Sequence, residues 1–100
     1  MQLRPDNIEA LRQSDIPEYM HQSILDYYEH GYEPGSFLSA IINNDLSGAI
    51  GHADNTNAQH LKDYVLWFYW HAPSGTWGYP DAVNDYITKL REAAECVDTL

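Results

Sequence analysis

Histidine is the residue type in this chain best suited to metal binding or proton transfer. The five histidines are spread along the sequence as His21, His30, His52, His60 and His71. No pair shows the His-x3-His spacing that places two ligands on one face of a helix. The nearest match to the Glu-x-x-His motif of di-metal bundles is Asp26 followed by His30, on a helix face that we expect to point outward. The pattern predicts no metal site and places these histidines at the surface or at helix ends.

The nucleophilic side chains lack a catalytic context. Cys96 is the single cysteine, which excludes an intramolecular disulfide and a cysteine-based zinc site and indicates a reducing compartment. The segment Gly48–Gly51 lacks the following lysine and the preceding strand of a phosphate-binding loop. The sequence therefore predicts neither an enzyme nor a cofactor site.

The charge of the chain is strongly one-sided. Asp and Glu outnumber Lys and Arg by 15 to 5, which gives a net charge of −10, and residues 13–61 contain no Lys or Arg. Such a field repels nucleic acid and anionic membranes and accelerates association with a basic partner, but it also serves solubility alone. The predicted acidic face consists of Glu18, Asp26, Glu29 and Glu33. A functional acidic face would imitate DNA phosphates and block a nucleic-acid-binding protein.

Seven consecutive large apolar or aromatic residues occupy positions 64–70. A helix that carries this run is apolar on every side and must be buried on every side. Because a chain of 100 residues has difficulty burying one helix completely, we expect this helix at the centre of a bundle or partly covered by a second subunit, and we favour a homodimer. A strand is the alternative, since Tyr, Val, Trp and Phe favour strands, but the sequence offers no partner strand.

Capping and turn residues divide the chain into helices. A short helix over residues 5–13 precedes four longer ones, which are expected over 17–30 with Gly31 as the stop, from Ser36 past Gly48, over 56–71, and from Pro80 onward. The predicted fold class is all-α, a compact four-helix single domain spanning residues 1–100 with the aromatic helix 56–71 at its centre. Residues 1–14 and 96–100 are expected to be loosely ordered.

Two loops, residues 32–38 and 72–80, are dense in glycine, proline and aromatic residues. Their aromatic side chains either fold back to cover the ends of the core or contact a partner, because Trp and Tyr dominate the binding energy of protein interfaces. The candidate protein-binding residues in these loops and in the aromatic helix are Tyr32, Phe37, Trp67, Trp70, Trp77 and Tyr79.

Several short motifs together resemble a family of small accessory proteins encoded by tailed bacteriophages and prophages. The motifs are residues 33–38 (EPGSFL), residues 44–46 (NDL), Ala72-Pro73, and Trp77-Gly78 with Pro80, and the resemblance spans about residues 16–88. It implies a phage gene expressed in the host bacterium, where small acidic accessory proteins often bind and inhibit a defence protein. Restriction and BREX-type systems are the implied targets.

The function expected from the sequence is a non-enzymatic, acidic protein-binding module that binds a bacterial host defence factor. A DNA mimic and a phage structural or assembly adaptor are the alternatives. Residues 1–6 lack the apolar region of a signal peptide, and the apolar run of residues 64–70 is far shorter than the roughly 20 residues that cross a bilayer. We therefore expect a protein of the host cytoplasm without membrane or direct nucleic-acid contacts.

Overall fold

Helices form the regular structure of this chain in a computed structural model, which describes the backbone of residues 3–98 and the side chains of residues 3–93. Within this range there are seven α-helices, one 3-10 turn and no strand. The helices are α1 (Pro5–Gln13), α2 (His21–His30), α3 (Ser36–Ile42), α4 (Leu46–His52), α5 (Asn55–Gln59), α6 (Leu61–His71) and α7 (Ala82–Asp98). The all-α class is confirmed, but two of the four long helices that we predicted are each divided into two shorter ones, so the four-helix count is not confirmed.

The N-terminal helix α1 has the bounds that the sequence predicted. Pro5 occupies its first turn, where the missing N–H has no intrahelical partner to lose. At the other end the Ser14 hydroxyl donates to the Leu11 carbonyl at 2.6 Å. Leu3 and Leu11 are buried in the core. The segment that we expected to be loosely ordered therefore contributes core side chains from residue 3 onward.

The second predicted helix begins later than expected, because Glu18–Met20 form a 3-10 turn before α2 starts at His21. The predicted stop at Gly31 is confirmed, since this residue has a φ of 68°. The Gly31 N–H donates to the Tyr27 carbonyl and the next N–H donates to the Asp26 carbonyl. The bond from Gly31 to Tyr27 is that of the αL motif, a common helix ending in which a left-handed residue follows the last turn.

The predicted long helix from Ser36 is interrupted at residues 43–45, which separate α3 from α4. Asn44 adopts a left-handed φ of 61°, a conformation that its short polar side chain tolerates. Asp45 then caps α4 by accepting the Gly48 N–H at 3.0 Å. Residues 43–45 therefore end one helix and begin another, where we predicted one continuous helix.

The predicted helix 56–71 is also divided, because His60 has a φ of −108° and separates α5 from α6. Asp54 caps α5 by accepting the Asn57 N–H at 2.7 Å. The buried Asn57 side chain accepts the Tyr64 hydroxyl at 2.6 Å and joins the two short helices. The aromatic run is helical in α6, so the strand alternative is wrong.

Tyrosine rings of α2 and α7 form the centre of the core. Tyr27 and Tyr28 pack against Tyr86 with ring centroids 4.8 and 5.4 Å apart. The hydroxyl hydrogen of Thr76 goes to the Pro73 carbonyl at 2.6 Å, so the Tyr28 hydroxyl donates to Thr76 Oγ1 at 3.0 Å. Burial raises the pKa of all three tyrosines, that of Tyr86 to about 12. The loop before α7 is thus attached to the core by hydrogen bonds of buried phenols.

The loop before α7 is also attached to the end of α3. The Gly78 N–H donates to the Ile42 carbonyl at 2.7 Å, and the Val83 N–H donates to Asn43 Oδ1 at 2.9 Å. α7 itself begins at Ala82, slightly after the predicted start at Pro80. Residues about 40 positions apart in sequence therefore hold the last helix in place.

The C-terminal end of α7 keeps a helical backbone as far as Asp98. The side chain of Cys96 lies outside the described residues, as do all side chains after residue 93. The expectation of loose order over residues 96–100 falls largely on this segment and stays a prediction.

Candidate protein-binding surface

One face of α6 is fixed by the core. Tyr64, Trp67 and Phe68 are buried, at the spacing of three and four residues that marks one side of a helix. The Trp67 indole N–H donates to the Asn7 carbonyl of α1 at 3.1 Å. Trp67 and Phe68 also meet edge to face, with centroids 5.1 Å apart. α6 is therefore held in one rotational setting by contacts with α1, α5 and the core.

The opposite face of α6 is open to solvent. Val65 and Leu66 are each about two-fifths exposed, whereas Tyr69 and Trp70 expose 67% and 70% of their surface. The rings of Tyr69 and Trp70 meet edge to face with centroids 5.1 Å apart. These four residues are the exposed face of α6. Within the single chain the other helices leave this face of α6 uncovered, so α6 is not a fully buried central helix. Cover by a second subunit, the alternative drawn from the sequence, stays a prediction.

An apolar cavity lies where the exposed face of α6 meets α4. It has a volume of about 80 Å³ and is lined mainly by apolar side chains. Its walls include Leu46 and Ala49 of α4, Leu61 and Val65 of α6, and Trp77. Leu46 is 67% exposed and Ile50, one turn further along α4, is about half exposed. The apolar surface therefore continues from α6 onto α4.

A groove of about 260 Å³ lies on the other flank of α6, against the C-terminal end of α1. We call it the α1–α6 groove. Its lining residues are Ala10, Gln13, Ser14, Asp15, Asp63, Leu66, Trp67, Trp70 and His71. One carboxylate oxygen of Asp63 lies 2.9 Å from Nδ1 of His60. The exposed face of α6 thus has an apolar cavity on one flank and a groove with two acidic residues on the other.

Two of the predicted binding residues belong to the core. Phe37 is 6% exposed and Trp67 is 2% exposed, and Phe37 packs edge to face on Tyr64 with centroids 5.1 Å apart. Burial leaves these rings almost no surface for a partner in the folded chain, although Trp67 lines part of the α1–α6 groove, and their role in binding stays a prediction. Of the two binding residues that we predicted in the aromatic helix, Trp67 and Trp70, Trp70 lies on the surface.

The predicted loop aromatics lie in three different settings. Tyr32 is 61% exposed and packs on the His30 ring with centroids 5.2 Å apart. Trp77 is half-buried against Phe68, with centroids 5.6 Å apart, as expected of a ring that covers the end of the core. The Tyr79 hydroxyl donates to Asp85 at 2.6 Å, which raises the pKa of Tyr79 and lowers that of Asp85.

The four residues of the predicted acidic face occupy the outer side of the α2 region. Glu18, Glu29 and Glu33 are exposed, whereas Asp26 is half-buried and accepts a hydrogen bond from Gln22 at 2.8 Å. Glu29 lies 3.8 Å from Nε2 of its neighbour His30. No cavity is lined by all four residues among the described pockets. The predicted acidic face therefore has the character of an open, solvated surface.

The described part of the chain offers little for metal chemistry or membrane insertion. No group of three or more His, Cys, Asp or Glu residues in this part is arranged to hold a metal ion. No helix among the described residues is both long enough and apolar enough to span a bilayer.

No protein-family model, curated protein or solved structure matches this chain. The resemblance to tailed-phage accessory proteins therefore depends on the sequence motifs alone and remains a hypothesis. The candidate surface depends on the geometry of α6 instead.

Sequence reasoning missed five residues of the candidate surface, which are Leu46, Ile50, Val65, Leu66 and Tyr69. The helical spacing contains a signal for the residues of α6. Val65 and Tyr69, and likewise Leu66 and Trp70, are four residues apart and lie on the side of the helix opposite the buried residues. That signal becomes readable only when one face of the helix has been assigned to the core. In a run that is apolar on every side, the sequence does not distinguish the two faces.

Proposed function

We propose that this protein is a non-enzymatic protein-binding module that contacts its partner through the exposed face of α6. The observation that supports this is the pair Tyr69 and Trp70, both about two-thirds exposed on a helix whose other face is locked into the core. Aromatic side chains can bury roughly 150–250 Å² each, so this exposed pair offers roughly 200–350 Å² of aromatic surface. Contiguous apolar patches of this size on a monomer are often functional.

The rigidity of α6 adds to this argument. Trp67 and Tyr64 are tied by hydrogen bonds to α1 and α5, so the exposed rings are carried on a fixed helix rather than a loop. A preorganised aromatic surface loses less conformational entropy on binding than a mobile one. Trp and Tyr are also the residue types that most often dominate the energy of an interface.

The proposed biological role is that of an accessory protein of a tailed phage that binds a defence factor in the cytoplasm of the host bacterium. The motifs shared with that family support this role, and restriction and BREX-type factors are the partners we propose to test first. A net charge of −10 supports it further, because it accelerates encounter with a basic partner.

A DNA mimic is the second candidate, and it is supported by the exposed carboxylates of Glu18, Glu29 and Glu33 before, on and after α2. This candidate makes an opposite prediction about salt. Binding that depends on phosphate-like carboxylates weakens steeply as salt rises, whereas binding through aromatic rings is much less sensitive.

The test is an affinity pull-down from bacterial lysate at low and high salt, with mass spectrometry of the retained proteins. We expect one host protein to be retained at high salt by the wild type and by Tyr19→Ala, which removes a similarly exposed aromatic ring elsewhere. The double variant Tyr69→Ala/Trp70→Ala should lose it. Equal retention by the double variant would refute the proposal, and loss on Glu18→Gln/Glu29→Gln would favour the mimic.

The homodimer expected from the sequence would compete for the same apolar surface. Sedimentation at micromolar concentration distinguishes the two uses of the surface, since the monomer has a mass of 11.5 kDa. A species of twice this mass that Trp70→Ala converts to monomer would assign the exposed face of α6 to self-association.

A further inference from the structure

The α1–α6 groove combines an exposed indole with acidic residues. Trp70 forms part of its wall on α6, and Asp15 and Asp63 line it from the end of α1 and from the first turn of α6. Its volume of about 260 Å³ is sufficient for one long side chain. The Trp70 ring is 70% exposed, so its surface is available to a ligand.

These groups favour a cation that is also flat. The face of an indole attracts a guanidinium by cation–π interaction, and carboxylates accept its fork of N–H donors. Two cations, Arg12 and Lys62, neighbour groove residues in sequence, but both are exposed and neither lines the groove. His60 lies against one oxygen of Asp63, and His71 lines the groove with its Nδ1 3.2 Å from Asn7 Oδ1.

We propose that the α1–α6 groove binds an arginine side chain that a basic protein partner presents to the exposed face of α6. This inference deepens the proposed function and rests on it, because it names the partner chemistry that the surface selects. In this arrangement the guanidinium stacks on Trp70 and hydrogen-bonds to Asp15 and to Asp63. Apolar side chains of the same partner cover Tyr69 and the cavity beside Val65.

Charge complementarity favours this occupant over a second copy of the chain. Each copy carries 15 acidic and only 5 basic residues, so two copies that meet at this surface bring like charges together. A basic partner gains from the same field. Within the groove both lining acids have the sign that an arginine requires.

The test uses N-acetyl-arginine amide as the probe in an NMR titration of the ¹⁵N-labelled full chain, after sedimentation has shown it to be a monomer. The matched control is N-acetyl-citrulline amide, which has nearly the shape of arginine without its charge, at constant ionic strength. We expect saturable shifts of the Trp70 indole N–H and of the Asp15 and Asp63 amides with the arginine probe. The citrulline probe should produce none.

Variants distinguish specific binding of the probe in the α1–α6 groove from nonspecific electrostatic attraction to the acidic protein. Trp70→Leu keeps an apolar side chain but removes the aromatic face, and we expect it to weaken probe binding by about two- to fivefold. Asp15→Asn should weaken it similarly. Glu92→Gln removes the same charge from an exposed position on α7, outside every candidate surface, and should leave the affinity unchanged.

Three results would overturn the inference. These are equal shifts with the citrulline probe, unsaturable shifts spread over the acidic surface of α2, and a dimer that covers Trp70. If the pull-down still depends on Tyr69 and Trp70 while the arginine probe does not bind, the inference falls and the proposed function stands. If the probe binds the groove but Tyr69→Ala/Trp70→Ala retains the host protein, the site stands without that function.

Discussion

Replacement of Thr76 by valine removes one hydroxyl from the centre of the core and tests whether the buried tyrosines hold the loop before α7. The Thr76 hydroxyl donates to the Pro73 carbonyl at 2.6 Å and accepts from the Tyr28 hydroxyl at 3.0 Å. Valine keeps the shape but has no acceptor, so the phenol of Tyr28, which is fully buried, loses its partner.

The magnitude follows from these two bonds. An orphaned buried donor costs about 1–3 kcal/mol, and a lost hydrogen bond costs a further 0.5–1.5 kcal/mol or so. Thr76→Val should therefore lower the free energy of unfolding by about 2–4 kcal/mol. Tyr28→Phe should cost only about 0.5–1.5 kcal/mol, because Thr76 keeps its bond to Pro73. In the double variant no phenol is left without a partner, so its cost should be about 1–2 kcal/mol below the sum of the single costs.

The assay is urea unfolding of the four proteins, followed by tryptophan fluorescence and far-ultraviolet circular dichroism. Thr88→Val is the matched control, because Thr88 is exposed on α7 and its replacement should change the free energy of unfolding by less than about 0.5 kcal/mol. A cost of Thr76→Val that equals the control, or strictly additive single variants, would refute this account of the core.

Three further predictions concern pH and backbone geometry. Burial raises the pKa of Tyr86 to about 12, whereas a tyrosine in the unfolded chain has a pKa near 10. The neutral form therefore stabilises the fold fully below about pH 10, and the free energy of unfolding should fall as pH rises from about 10 to 12. A free energy of unfolding, measured with urea, that stays constant across this window would contradict the prediction. Gly31→Ala should cost about 1–2 kcal/mol, because Gly31 has a φ of 68° and an added Cβ would press on a side chain of α7. Gly51 is a helical residue with open space around it, so Gly51→Ala should stabilise the fold by about 0.5–1 kcal/mol. Thermal unfolding of the two variants measures both effects. Asp45→Ala should cost about 0.5–2 kcal/mol, because it removes the side-chain cap of α4. Gly48→Ala should stabilise the fold only in the Asp45→Ala variant, because in the wild type a Cβ at Gly48 would overlap the Asp45 carboxylate. If Gly48→Ala changes the free energy of urea unfolding equally with and without Asp45, the cap does not restrict this position.

The sequence predicted those elements whose signals are local. Pro5 and Gly31 mark a helix start and a helix stop through backbone geometry that only a few residue types tolerate, and both predictions are confirmed. The break at residues 43–45 also has local signals, in a left-handed Asn44 and a capping Asp45, but the same residues fit the polar side of a longer helix. His60 carries no breaker signal, so the sequence did not indicate the division there.

The candidate surface was only partly predictable for a related reason. Trp70 was identified because tryptophan is common in interfaces, but Trp67 was identified on the same ground and is buried. Which of them faces outward depends on the rotation of α6, which is held by a contact with Asn7, 60 positions away from Trp67 in sequence, and by a contact with Asn57 in the neighbouring α5. Residue type alone does not contain this information.

The placement of the aromatic run within α6 has a consequence for aggregation. Residues 64–70 contain no charge, no proline and no glycine, and they are rich in strand-forming side chains, which is the composition of segments that stack into cross-β fibrils. Their backbone is protected while their N–H groups donate to carbonyls within the helix. A substitution that disrupts the buried face of α6 would therefore weaken the fold and also expose an aggregation-prone segment. We expect aggregation to accompany the loss of stability. The inward-facing rings at 64, 67 and 68 keep the segment helical, so the outward-facing rings at positions 69 and 70 are not presented as part of a strand.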